Sequence, residues 1–234
     1  MRWPLPHLAL LVLAGAAPAL PGVGASDGRV AVIATDMPWR ALARLQVPGE
    51  TRCTAVLIAG GTALTAAHCL WGRHTGRFVP AASVHVLTGY AAGRFAHHAI
   101  ASAYHRAADD TARPAAVERD FAVVTLAEPI GDAVLPLADA DPPVGTPVML
   151  GGYNQDRAEV IEADTRCQIV GVAPGRLVHD CAGTRGTSGA PLLARRADGA
   201  WEVVGLQVAA FTDHAGGIAV PASRLRALVP VPTN

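Results

Sequence analysis

Ser188 stands in Gly-Thr-Arg-Gly-Thr-Ser-Gly-Ala-Pro-Leu-Leu, Gly183 to Leu193, with three glycines and a proline around one small hydroxyl residue. Glycine allows positive φ and close backbone approach, so the segment reads as a tight, exposed backbone structure. Gly, Ser and Pro also dominate ordinary turns, so on its own the segment fits a nucleophile or a turn serine. An aliphatic hydroxyl becomes a useful nucleophile only beside a base that a third group orients. Among nine histidines, His68 in Ala-Leu-Thr-Ala-Ala-His-Cys-Leu stands out. A strand-like run, Cys53 to Ala66, feeds straight into it, and Cys69 follows it. A bond from Cys69 to Cys53 would fix the backbone beside the imidazole, as a proton-transferring base requires. The carboxylate candidate is Asp120, which opens the β-prone run Phe121 to Leu126. Asp109 and Asp110 compete from a polar loop, 106–119, with no strand to fix them.

The elements that must position these residues read as strands. Long amphipathic helical patterns are nearly absent. Short apolar runs recur instead at 41–47, 53–60, 83–89, 121–126, 147–153, 167–172, 189–194 and 201–208, separated by Gly, Pro, Asp or Asn. That pattern predicts many short strands joined by turns, an all-β barrel or sandwich. One late helix is expected over Pro221 to Val229, with Pro at its start and Leu225 and Leu228 three apart, and a short helical turn is expected at Ala66 to Leu70. The Pro-, Asp- and Gly-rich stretch Leu126 to Val148 reads as a connector between two halves, 29–130 and 131–234. The chain carries nineteen basic and nineteen acidic residues and no long charge block, which argues against nucleic acid or an acidic membrane as partner. Every basic residue is Arg.

Residues 1–25 have a charged start, an apolar run from Leu8 to Ala17 and a small-residue exit at Val23-Gly24-Ala25. This is the form of a secretory signal peptide cut near Ala25, and the apolar run is short for a stable membrane anchor. A secreted or periplasmic protein is expected. The four cysteines agree with an oxidising compartment. Cys53 with Cys69 and Cys167 with Cys181 are the simplest pairs, though four cysteines allow three connectivities. None of the spacings is the C-x-x-C of a zinc site, and no metal or cofactor is expected.

The segments Leu-Thr-Ala-Ala-His-Cys-Leu, Asp-Phe-Ala-Val-Val-Thr-Leu and Gly-Thr-Ser-Gly-Ala-Pro-Leu-Leu resemble the three signatures of chymotrypsin-like (trypsin-fold) serine proteases, in that family's order. The short bacterial secreted branch with the glutamyl endopeptidase-like proteins looks closest. The resemblance implies two antiparallel six-stranded β-barrels with a short C-terminal helix and an active site between them. It implies His68 as base, Asp120 as its orienting carboxylate and Ser188 as nucleophile, with the backbone N–H groups of Gly186 and Ser188 as oxyanion hole. A protein or peptide substrate, a monomer and no cofactor go with it. Two departures stand out. Thr187 replaces the Asp that in animal digestive members receives a new N-terminal ammonium, so activation by exposing Val30 after Arg29 is not expected. Ala190 replaces a usual Gly. The primary pocket falls on Ala182, Gly183, Gln207, Val208, Ala209 and Ala210, where nothing would neutralise a basic side chain; Gln207 takes the place of the His that glutamate-specific relatives use, and His179 and His214 are the candidates to compensate for it. A small or medium uncharged residue before the cleaved bond is expected. The rival readings are a non-catalytic binding protein on the same fold, an α/β-hydrolase esterase using Asp198 and His214, and a metal site at His97, His98 and His105.

Overall fold

The computed structural model describes residues 20–108, 112–114, 116–131 and 133–229. The first nineteen residues, which hold most of the expected leader, lie outside the described residues, as do Asp109 and Asp110. Six strands form the first barrel: β1 (Leu42–Val47), β2 (Thr51–Ala59), β3 (Thr62–Thr65), β4 (His85–Thr88), β5 (His97–Arg106) and β6 (Ala122–Leu126). They pair antiparallel in the order β1-β2-β3-β6-β5-β4, and β4 closes back on β1. The second barrel holds β7 (Pro147–Gly152), β8 (Glu162–Ala173), β9 (Arg176–His179), β10 (Pro191–Arg195), β11 (Trp201–Ala210) and β12 (Gly217–Pro221). Its order, β7-β8-β9-β12-β11-β10 and back to β7, repeats that of the first. Closure leaves no barrel strand with an unpaired edge, and this all-β architecture excludes the α/β-hydrolase reading. Asp198 sits in the β10–β11 turn and binds the N–H of Ala200, while His214 lies on an exposed loop.

The β-prone residues of the strands are buried on both faces. Leu42, Val56 and Leu64 share one face of the first barrel's sheet, and Leu45, Leu57, Val86 and Val124 share the other with Ala43, Ala55 and Ala63, all within one apolar core. Leu150, Ile169, Leu177, Leu192 and Val204 fill the second barrel. The connector is packed against both. Leu135 donates its N–H to Leu57 O on β2, and Ala138 donates to Val203 O on β11. Helix α1 (Ala222–Arg226) is shorter than the sequence predicts. Pro221 is still the last residue of β12, opposite Gly205, and the chain leaves the helix as a turn at Ala227. No helix among the described residues is long and apolar enough to cross a membrane.

Candidate active site

Asp120 and His68 meet at the mouth of the first barrel. A 3-10 turn, Val117–Arg119, ends at Asp120, whose N–H closes it on Val117 O, and β6 begins two residues later. A second 3-10 turn, Ala67–Leu70, carries His68 directly off β3. The Asp120 carboxylate grips His68 at two points. Oδ1 accepts the backbone N–H at 2.8 Å, and Oδ2 accepts the ring Nδ1–H at 2.6 Å. A carboxylate cannot donate, so Nδ1 carries the proton and Nε2 is left as an acceptor. The Asp120 side chain is 10 % exposed and the His68 ring 20 %, so the pair is shielded yet open to the cleft. The Cys53–Cys69 disulfide ties β2 to the His68 turn, and Cys167–Cys181 ties β8 to the segment before Ser188. Both local pairings expected from the sequence are therefore formed.

Ser188 arrives from the second barrel, one turn before β10. Two glycines on either side of it have no substitute. Gly186 has φ +96°, and a Cβ there would stand 2.2 Å from Tyr153 O. Gly189 has φ +82°, and its Cβ would stand 2.2 Å from Thr54 O and 2.4 Å from Thr65 Oγ1. The glycines let this loop press against both β7 and the first barrel. Thr187 is buried and turns its hydroxyl onto Thr184 O at 2.6 Å, closing its own loop where the digestive enzymes have an Asp. Val30 is far from acting as its partner: it pairs with Ala163 on β8, while the Arg29 guanidinium is held by Asp27 and Asp156.

Thr54, on β2, is a residue the sequence reading missed. It is fully buried and stitches the two barrels at the site. Its N–H donates to Ser188 O at 3.0 Å, its hydroxyl donates to Gly186 O at 2.9 Å and accepts from Tyr153 N–H, and its carbonyl accepts from the Thr65 hydroxyl. Its one visible signal was a polar residue in the otherwise apolar run Cys53 to Ala59. No hydrogen bond joins Ser188 Oγ to the His68 ring among the described residues. Such bonds are often long or poorly aligned until substrate is bound.

The expected pocket residues lie together along β11 and the segment after Cys181. Gln207 is buried, and its amide is fixed from both ends. Its Oε1 accepts from His179 Nε2–H at 2.6 Å, and its Nε2 donates to Ala209 O at 2.9 Å. His179 Nδ1 in turn accepts the N–H of Cys181. Desolvation holds the pKa of His179 down at about 4, so the ring is neutral. His214 does not join them; it is exposed beside Asp213 and Phe211. Val208 is buried in the apolar core, and Ala209 and Ala210 are half-buried. An unexpected segment stands against these residues. The carbonyl of Gly22, inside the stretch read as leader, accepts from the N–H groups of Gly183 at 2.9 Å and Gly216 at 3.2 Å. A Cβ on Gly22 would fall 2.7 Å from that of Ala210, and Val23 is buried beside it.

His97, His98 and His105 lie along β5, where His97 contacts Thr88 and His98 contacts His85, so they do not converge on one point. The wide cleft at the site has a volume of about 940 Å³ and contains Ser188, His68 and Gly186.

A family model described as a trypsin-like peptidase domain matches residues 53–206. No curated protein matches the chain in sequence. Among solved structures, one described as a Glu endopeptidase in complex with MPD superposes with a TM-score of 0.75 at 18 % identity, over 88 % of this chain and 98 % of that one. At that identity the likeness speaks for the fold. The family match spans the segments of His68, Asp120 and Ser188, and with the two closed barrels it identifies the chain as a member of the trypsin-like peptidase family, a serine-type endopeptidase of chymotrypsin-like fold.

Proposed function

We propose that the protein is an exported endopeptidase that cleaves peptide bonds through Ser188, His68 and Asp120 and an acyl-enzyme intermediate. Ser188 Oγ attacks the peptide carbonyl while His68 Nε2 takes its proton. The carbonyl oxygen becomes an oxyanion held by the N–H groups of Gly186 and Ser188. His68 then gives its proton to the leaving amine, and water repeats the sequence to release the acid. Asp120 keeps Nδ1 protonated and stabilises the imidazolium. The observation that carries this reading is the two-point grip of Asp120 on His68. One bond sets the ring and the other sets the backbone, which leaves Nε2 free to work.

Removal of residues 1–25 as a leader and release to the periplasm or the exterior belong to the same reading, and two disulfides suit an oxidising compartment. A small or medium uncharged residue before the cleaved bond is supported by the neutral His179–Gln207 pair and the alanines around it. The test uses protein lacking residues 1–25 with a fluorophosphonate probe, beside Ser188→Ala, His68→Ala and Asp120→Ala. Labelling is expected in the parent, lost in the first two variants and weakened in the third. A folded parent that neither labels nor cleaves peptides would instead be a binding protein on this fold.

A further inference from the structure

Among the described residues, the cleft at Ser188 is lined by four arginines, Arg52, Arg73, Arg113 and Arg185, and by one carboxylate, Glu50. All four arginines are exposed, and among the described residues none has an ion-pair partner. Glu50 is already engaged. Its Oε2 accepts the N–H groups of Arg73 and His74 and lies 3.1 Å from His74 Nδ1, and these bonds lower its pKa and keep it ionised. Glu159, whose charge acts on Arg52, is bound by Arg44 and the Tyr90 hydroxyl. Four positive charges against one negative leave the cleft at a formal +3, on a chain whose net charge is zero. The concentration is therefore local and is not a consequence of overall composition.

The position of this charge decides what it can read. The acyl carbonyl must point at Gly186 and Ser188, and the leaving nitrogen must face His68 Nε2. The chain beyond the cleaved bond therefore runs past His68, where Cys53, Trp71 and Arg73 line the cleft. Gln207, Ala209 and Ala210, the pocket for the residue before the bond, are not part of this lining. We propose that the cleft selects substrates with acidic residues in the first positions after the cleaved bond, so that peptides rich in Asp and Glu on that side are its preferred class. The inference rests on the triad reading above. Planar guanidinium groups suit carboxylates in particular, through paired N–H···O bonds.

The experiment uses the protein lacking residues 1–25 and internally quenched peptides identical up to an alanine before the cleaved bond. Two Glu, two Ala or two Lys follow the bond, and a small alanine ester with no peptide leaving group runs alongside. At low ionic strength kcat/KM is expected to favour Glu over Lys by about tenfold or more, since several exposed charge pairs each contribute a few-fold. The ratio should shrink towards unity in about 0.5 M salt, as screening requires. In an Arg52→Gln, Arg73→Gln double variant the Glu-to-Lys ratio should drop by at least threefold. Ester turnover with a Glu-to-Lys ratio near one, or a ratio unchanged in the variant, overturns this inference alone. Inhibition by a sulfated polysaccharide with no acidic preference among peptides assigns the charge to another polyanion and also overturns it. Loss of both ester and peptide turnover overturns the triad reading and this inference with it.

Discussion

Replacing Gly186 with Ala separates the proposed oxyanion role of its loop from the stability of the fold. The new methyl would lie 2.2 Å from Tyr153 O and 3.0 Å from Gln155 N, both backbone atoms at the end of β7. A carbon and a carbonyl oxygen approach to only about 3.3 Å without repulsion, so the loop must retreat by about an ångström. Oxyanion donors act only within a few tenths of an ångström of hydrogen-bonding distance, and losing one costs about 3 kcal/mol in kcat, or 10²- to 10³-fold. Strain from a side chain at φ +96° falls on stability instead, at about 1–3 kcal/mol, which a domain stable by roughly 5–15 kcal/mol survives. Gly199→Ala supplies the control. That glycine has φ +82° in the β10–β11 turn, but nothing lies within 4 Å of its added Cβ. Thermal melts and single-turnover ester kinetics on both variants give the answer. Gly199→Ala should lose melting temperature and keep its rate, while Gly186→Ala should lose both. A folded Gly186→Ala enzyme within about threefold of the parent rate would refute the oxyanion assignment, as would equal rate losses in the two variants.

Asp120→Asn keeps the shape of the His68 contact but removes the acceptor that fixes the Nδ1–H tautomer, and kcat should fall by about 10⁴-fold with little change in melting temperature; steady-state kinetics beside a thermal melt checks both. His179 makes stability depend on pH. Its folded pKa of about 4 lies below the ordinary 6.5, so the unfolded chain binds the extra proton between these values. Stability is then full above about pH 6.5 and declines towards pH 4, by up to about 3 kcal/mol from this group. Denaturant melts of the parent should lose more over that interval than those of His179→Gln, and equal losses would contradict the assignment. The Gly22 contact gives a last prediction. A chain beginning at Ser26 frees the N–H groups of Gly183 and Gly216, and should cleave peptides with bulkier residues before the bond faster than a chain beginning at Leu20; identical profiles on a peptide library would show that the segment does not restrict the pocket.

The parts of the fold that the sequence discloses are those whose signals are local. The runs 41–47, 121–126 and 201–208 alternate or sustain large β-branched and aliphatic residues, and each falls in a barrel strand. Strand β5 was not legible because its inward positions are Ala99 and Ala101 while Ile100 faces out, which inverts the usual hydrophobic pattern. The expected helix at Pro221 was too long because the leucine spacing could not show how soon the turn at Ala227 ends it. Within the site, His68, Asp120 and Ser188 could be picked out because each sits at a junction between an unusual local motif and a strand. Gln207 and His179 were also named from the sequence, but the bond between them was not, nor were Thr54 and Gly22, since these roles consist of hydrogen bonds across barrels or between segments far apart in the chain.

That contrast bears on how the site is held. Ser188 belongs to one barrel, and His68 and Asp120 to the other, so their mutual geometry depends on how the barrels are docked. Thr54 makes that docking specific. It comes from the same strand as Cys53, whose disulfide fixes the His68 turn, and it binds the carbonyls of Gly186 and Ser188 through its hydroxyl and its N–H. One strand therefore carries the constraint on the His68 turn and the constraint on the Ser188 loop. A valine at position 54 would preserve the packing volume but remove the hydroxyl that serves Gly186 O and Tyr153 N–H, leaving two buried backbone groups without that partner. Unmade buried hydrogen bonds cost about 1–3 kcal/mol each, and here the cost would fall at the seam on which the alignment of Ser188 and His68 depends.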